Sequence, residues 1–269
     1  MQYHDIRPAR FLARPNRFIA LVWREGTLER VHVKNTGRCA ELLRPGVRVW
    51  LEYSTNPARS TPCDLVCVEK RLPPQDTRPG SIAAEALPEV RCTDTDGREW
   101  IAPAVPAGPA LLINMDSAAP NAAAAEWLAA GGLGTLQNIR PECTVGDSRF
   151  DFCAQQDGRP VAVEVKGCTL EMNGHARFPD APTQRGVKHL QGLAALAAQG
   201  WRAVLLVVIQ MKGVHTFSPN WATHAAFGEA VVQAAAAGVE IHALDCLIMP
   251  RSMALDAPVG CDLRRPDTL

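Results

Sequence analysis

Asp151, Glu164 and Lys166 are the residues of this 269-residue chain whose types and spacing could do chemistry. They flank Gln156-Asp157-Gly158-Arg159, and Asp-Gly is the preferred centre of a two-residue type I′ turn between antiparallel strands. Across such a turn, facing residues have numbers that add to 315, which sets Asp151 opposite Glu164. Their Cβ atoms would lie roughly 4.5–5.5 Å apart, a repulsive arrangement unless a cation sits between them. Strand alternation puts Lys166 on the Glu164 face and turns Val161, Val163 and Val165 toward a core. Hard oxygen ligands suit Mg2+, with Mn2+ as an alternative, because Mg2+ is usually held by one or two carboxylates plus substrate phosphates. A neighbouring lysine could orient the attacking water or offset charge developing on phosphorus. That is the chemistry of metal-dependent phosphodiester hydrolysis. Pro160 cannot donate to the strand ladder and could shift this register by one residue.

A surface hairpin with Glu-x-Lys on its solvent face is common and ordinarily serves solubility. Two features weigh against that here. Only five lysines stand against 23 arginines, so a lysine at this position is not background. The opposite face is apolar throughout, as in a strand within a packed sheet. Residues 183–199 then read as a helix, with Leu190, Leu193, Ala194 and Ala197 at helical spacing and Gly200 ending it. Arg185, Lys188 and His189 share one face of its first turns and could hold a phosphate near the metal, the arginine bidentate and the lysine as a point charge. For His189 the competing reading is a core histidine with a satisfied hydrogen bond.

The block from Val163 through Gly174-His175-Ala176-Arg177-Phe178-Pro179-Asp180 to Leu190 resembles the sugar fermentation stimulation protein A family. Further matches are Asn16-Arg17-Phe18, Asn35-Thr36-Gly37-Arg38, Ser148-Arg149-Phe150-Asp151-Phe152 and Thr216-Phe217-Ser218-Pro219. The resemblance implies a small OB-type barrel joined to a nuclease domain of the PD-(D/E)xK class, described both as DNA-binding and as a DNA/RNA nuclease. Nucleases of that fold often add a glutamate from the helix preceding the first catalytic strand. Here that would be Glu126, on a helix with Asn121 as N-cap and Gly131 as stop, supporting metal or water.

The elements around this centre follow from charge and composition. Residues 1–80 carry 14 Lys+Arg against 8 Asp+Glu, leaving 14 against 20 for the rest, so a basic first domain precedes an acidic one. Strands are expected at Phe18–Trp23, Leu28–Val33, Val47–Tyr53 and Leu65–Val68, with Glu25-Gly26 turning the first pair. Arg17, Arg30, Arg38 and Arg48 interleave with Phe18, Trp23, Trp50 and Tyr53, a pattern suited to a barrel that stacks single-stranded bases; the competing reading, stronger for Trp23, is that these rings fill the barrel. Asn35-Thr36-Gly37 could present backbone amides to phosphate. Residues 203–209 and 239–244 read as strands and 221–237 as a helix.

The expected fold is therefore α/β: an OB-type barrel over 1–80, an insertion or linker over 81–110, and a mixed-sheet PD-(D/E)xK nuclease-like domain over 111–269. No segment approaches the roughly 20 apolar residues of a membrane span, and the charged start lacks the apolar region of a signal peptide, so a cytoplasmic location is expected. The nine cysteines show no zinc-like pairing and read as reduced, mostly buried thiols. No Walker loop, dinucleotide fingerprint or Ser-His-Asp set is evident, so neither zinc nor a nucleotide cofactor is expected. The expected function is a Mg2+-dependent nuclease acting on DNA and/or RNA, with homodimerisation open. The alternatives are a DNA-binding regulator of sugar (maltose) metabolism genes that uses the fold without cleavage, and hydrolysis of a small phosphorylated metabolite.

Overall fold

A computed structural model of the chain describes residues 1–35 and 37–266. These fall into two compact units: Met1–Ala119 with Gln210–Gly213 and Leu247–Met253, and the remainder from Pro120 onward.

The first unit is built on β1 (Asp5–Asn16), β2 (Ile19–Arg24), β3 (Thr27–Val33), β4 (Arg48–Tyr53) and β5 (Cys63–Arg71). They run in the order β3-β2-β1-β4-β5, and β3 also pairs with β5, so the five strands close into an OB-type barrel without a free edge. Val22, Val31, Val49, Leu51 and Leu65 are buried inside. Glu25 and Gly26 both have positive φ, 48° and 88°, and turn β2 into β3 as expected. β1 was not among the expected strands, since Pro8, Pro15 and three arginines interrupt any apolar alternation. The structure accommodates them: Pro8 pairs with Trp50, and buried Arg10 donates to the carbonyls of Gly46, Pro88 and Pro103 at 2.7–2.8 Å.

Residues 81–110, expected as an insertion or linker, are structured. They hold β6 (Ile82–Ala84), β7 (Val90–Thr93), β8 (Glu99–Ala102) and the start of β9 (Gly108–Asn114). β9 pairs with β5 and β6 pairs with β9, which extends the barrel sheet. Cys92 and Ala102, from the β7–β8 hairpin, join Leu12 and Leu21 in one core cluster. The compact unit that contains the barrel runs on through these strands to Ala119 and takes in Gln210–Gly213 and Leu247–Met253. The prolines of 81–110 sit at strand ends and in the connections, where a missing N–H is tolerated.

The second unit contains α1 (Ala119–Ala129), β10 (Gln137–Val145), β11 (Ser148–Gln156), β12 (Arg159–Cys168), β13 (Glu171–Met172), β14 (His175–Phe178) and α2 (Gln184–Ala198). β15 (Arg202–Ile209), β16 (Thr216–Pro219), α3 (Trp221–Ala236), β17 (Glu240–Met249), β18 (Ser252–Pro258) and β19 (Gly260–Cys261) follow. The main sheet runs β10-β11-β12-β15-β17-β18, antiparallel from β10 to β12 and parallel across β12, β15 and β17. β13, β14, β16 and β19 form a second small sheet. Central β12 is buried on both faces from Val161 to Val165, so its charged residues need partners inside the fold.

Two expectations change here. Cys143 and Cys153 lie on neighbouring strands with Cα atoms 6.0 Å apart and form a disulfide, so not all the cysteines are reduced; the other seven form no disulfide. Helix α1 starts at Ala119, which makes Asn121 a residue of its first turn and not its N-cap; Gly131, at φ 89°, follows its end as expected. Among the described residues no helix is long and apolar enough to cross a membrane.

Candidate active site

The β11–β12 hairpin sets the geometry of the centre. Asp157 and Gly158 take φ of 50° and 78°, as a type I′ turn demands, and the ladder runs from Gln156↔Arg159 to Phe152↔Val163 in the expected register. Pro160 sits opposite Gln155 and causes no slip. One step further the ladder gives way to a side chain: Asp151 Oδ2 accepts the Val165 backbone N–H at 2.7 Å. Its other oxygen, Oδ1, accepts from Asn121 Nδ2 at 2.8 Å. Asp151 is thus fixed by the strand that bears Glu164 and by the first turn of α1.

Glu164 is 1% exposed. Its Oε1 takes Lys166 Nζ at 2.5 Å and also contacts His189 Nδ1. Its Oε2 is buried and has no hydrogen-bond partner. His189 reaches Glu164 because α2 lies close on β11: a Cβ on Gly192 would come within 2.8 Å of Ser148 Oγ and 3.1 Å of Phe150 Cζ. Thr183 caps α2 by accepting the Gly186 N–H at 3.0 Å, which fixes where its first turn begins. Arg185 Nε lies 3.4 Å from His189 Nε2. Arginine can only donate, so Nε2 accepts, and Nδ1 carries the proton given to Glu164.

The arrangement can hold a hard cation. A buried carboxylate oxygen without a partner is costly, and a divalent ion with its retained waters would satisfy it. Asp151 still has lone pairs on both oxygens after its two hydrogen bonds. Oxygen donors without nearby thiolate or free imidazole suit Mg2+ or Mn2+. Cys168, at the end of β12, offers no competing nucleophile, because burial pushes its thiol up to about 12.

The structure brings together Asp151, Glu164, Lys166, His189 and Arg185. Lys188 lies on the same helix face and is exposed. Glu126 is exposed on α1, about 140° around the helix from Asn121. Among the described residues no three His, Cys, Asp or Glu side chains gather into a metal-holding group. The residue that α1 contributes is Asn121, which sequence reasoning missed. Its signal was its place as a polar side chain in an otherwise alanine-rich helix, and it was read as a cap. In the first unit Arg17 and Arg38 are exposed, and Asn35 Oδ1 accepts the Gly37 N–H at 2.8 Å, closing its loop. Asn35 is therefore a loop-forming residue, and Thr36, part of the expected amide cradle, lies outside the described residues.

Comparison with known proteins places both halves. Residues 12–74 match the SfsA N-terminal OB domain, and residues 118–252 match the Sugar fermentation stimulation protein RE domain. The class is an OB barrel followed by a mixed-sheet α/β domain. The sugar fermentation stimulation protein homolog of Desulfitobacterium hafniense strain Y51 is 44% identical over 253 residues, covering 94% of each chain. That of Alkaliphilus oremlandii strain OhILAs is 40% identical over 272 residues, covering 98% of this chain and 100% of the relative. A solved structure, described as Pyrococcus furiosus SfsA in complex with Ca2+, has a TM-score of 0.74 at 24% identity and covers 97% of this chain and 98% of its own. The chain belongs to the sugar fermentation stimulation protein family.

Proposed function

We propose that this protein is a metal-dependent nuclease that hydrolyses phosphodiester bonds in DNA and/or RNA. The observation that carries this reading is the unpartnered Oε2 of Glu164 beside Asp151, at a centre that also holds a lysine and a helix start bearing Arg185 and Lys188. A pure nucleic-acid binder would gain nothing from carboxylates facing a polyanion. Asp151 and Glu164 would hold Mg2+ or Mn2+. Bound there, the ion would polarise the phosphoryl oxygen and lower the pKa of a water. The Pyrococcus furiosus structure of the same fold is described in complex with Ca2+, which is in keeping with a divalent cation here.

The chain's own residues have separable tasks. Asn121 and the Val165 amide hold Asp151 in place. His189, itself held by Arg185, keeps Glu164 oriented, as an outer hydrogen bond does for a metal-bound carboxylate. Lys166 neutralises Glu164 and stands where it can orient a water or offset charge on phosphorus. Arg185 and Lys188 would engage the phosphate next to the scissile one.

The test is incubation of labelled single- and double-stranded DNA and RNA with Mg2+, Mn2+ or EDTA, using wild type, Glu164→Ala and Lys166→Ala. Cleavage that needs the metal and is lost in both variants is expected, and the substrate that disappears names the preference. Tight binding without cleavage in either metal, unchanged in the variants, would overturn the reading and favour the regulator.

A further inference from the structure

We infer that Phe18, at the tip of the β1–β2 hairpin, is a stacking seat for one unpaired base of a single-stranded nucleic acid, with Arg17 and Arg38 holding the flanking phosphates. The inference rests on the proposed action on nucleic acid and adds which form is gripped, and where. Four aromatic rings of the barrel were candidates for stacking. Trp50 is buried, and Trp23 packs against the Leu12 and Leu21 cluster. Tyr53 is used up: its hydroxyl bonds Glu29 and Arg24, and the Arg7 guanidinium lies 4.5 Å from its ring centroid. Phe18 remains, 44% exposed and the one aromatic among the exposed large hydrophobic residues described.

The seat is built in advance. Asn16 Oδ1 accepts the N–H groups of Phe18 and Ile19 at 2.9 and 3.0 Å, and the Phe18 carbonyl accepts Val33 N at 2.8 Å. Arg14 ties the hairpin to the loop after β3 by donating to the carbonyls of Arg17, Asn35, Gly37 and Arg38 at 2.6–2.8 Å. Carbonyls satisfy a guanidinium without cancelling its charge. Among the described residues none of Arg14, Arg17 and Arg38 has an acidic partner, so the hairpin tip and the loop tied to it carry uncompensated positive charge. The Arg17 guanidinium lies 4.7 Å from the Phe18 centroid, on one side of the ring. A π-face on a rigid backbone with uncompensated arginines matches a base joined to phosphates. Stacking needs the face of the base, which a duplex keeps inside. Rigidity means that little ordering is charged to binding.

The experiment measures binding in EDTA, with cleavage switched off, to labelled 12-nucleotide single-stranded DNA and RNA and to a duplex of the same sequence. Phe18→Ala should weaken single-strand binding about 10-fold, leave duplex binding unchanged, and melt like wild type because the ring is half outside. Phe18→Trp should retain binding. A 2-aminopurine in the strand should change fluorescence with wild type and Phe18→Trp but not with Phe18→Ala. Arg17→Ala and Arg38→Ala should each reduce the slope of log affinity against log salt by about one. Unchanged single-strand binding by Phe18→Ala, an equal loss on duplex, or no single-strand binding by wild type would each overturn the inference. Metal-dependent cleavage in the parallel Mg2+ reaction would then leave the nuclease reading standing, and its absence alongside intact Phe18-dependent binding would do the reverse.

Discussion

Asp116 in the first unit and Glu164 in the second are buried to the same depth, 2% and 1% exposed, and each has a lysine ammonium close by, Lys34 at 2.6 Å and Lys166 at 2.5 Å. Their surroundings differ in completeness. Asp116 Oδ1 accepts the Ala118 N–H at 2.9 Å, and Oδ2 takes Lys34 and the Tyr3 hydroxyl. Tyr3 in turn accepts from Asn114 Nδ2 at 2.8 Å, and Gln210 donates to Asn114 Oδ1 and to the Asp116 carbonyl at 3.1 Å. Burial, then the charge of Asp116, push the Tyr3 phenol above its usual range, so it stays a donor. Glu164 has two donors, Lys166 and His189, and both crowd onto Oε1 and leave Oε2 bare. A third buried acid, Glu69, also has an oxygen without a hydrogen-bond partner, Oε1, but the Arg71 guanidinium lies 2.8 Å from it, so a cation already occupies that side. A buried acid with a lysine is therefore a structural feature when every oxygen is used. It becomes a site when one is withheld.

The comparison can be broken by removing each charge in turn. Glu164→Gln should lower cleavage by at least about 1,000-fold, roughly 4 kcal/mol of transition-state stabilisation, while the melting temperature moves by less than about 4 °C. Asp116→Asn should do the opposite. It breaks a network in which both carboxylate oxygens are satisfied, by Ala118, Lys34 and Tyr3, and should cost about 2–3 kcal/mol in urea denaturation, with cleavage by the folded protein within about two-fold of wild type. A loss of activity with full stability in Asp116→Asn would erase the distinction.

A smaller effect sharpens the role of α1. Asn121→Ala removes one of the two hydrogen bonds on Asp151, and should raise the Mg2+ concentration for half-maximal cleavage about 10-fold. Glu126→Ala, on the exposed face, should leave it unchanged.

The smallest effect comes from an ion pair two strands across the sheet from Glu164. Glu240 is held at about 2, against an ordinary 4.5, first by Arg202, whose guanidinium bonds both its oxygens, and then by His242. Its folded value lies below the unfolded one, so its contribution is complete above pH 4.5 and is lost as pH falls toward about 2. With 37% of the side chain exposed, the contribution should stay under about 1 kcal/mol. Urea midpoints at pH 6 and pH 3 should fall further for wild type than for Glu240→Gln.

Much of the centre was legible because it is local. Asp157-Gly158 fixes a register over the adjoining residues of each strand, and Thr183 and Gly200 bound α2, so Glu164, Lys166 and the basic helix face followed from neighbours in sequence. What escaped is long-range. Asn121 bonds a residue 30 positions away, which no helix rule reveals. β10 is largely exposed and holds Pro141, so it shows no apolar alternation; without it the pairing of Cys143 with Cys153 had no visible basis. β1 hides behind two prolines, and Arg10 there is buried only because three distant carbonyls converge on it.

The central claim, that the bare oxygen of Glu164 is a cation position, is tested most directly by Mn2+ binding followed by electron paramagnetic resonance. Wild type and Asp116→Asn should take up Mn2+ and release it to excess Mg2+, while Glu164→Gln, equally folded, should leave it free in solution. Uptake by Glu164→Gln equal to wild type would place the cation elsewhere and contradict the account.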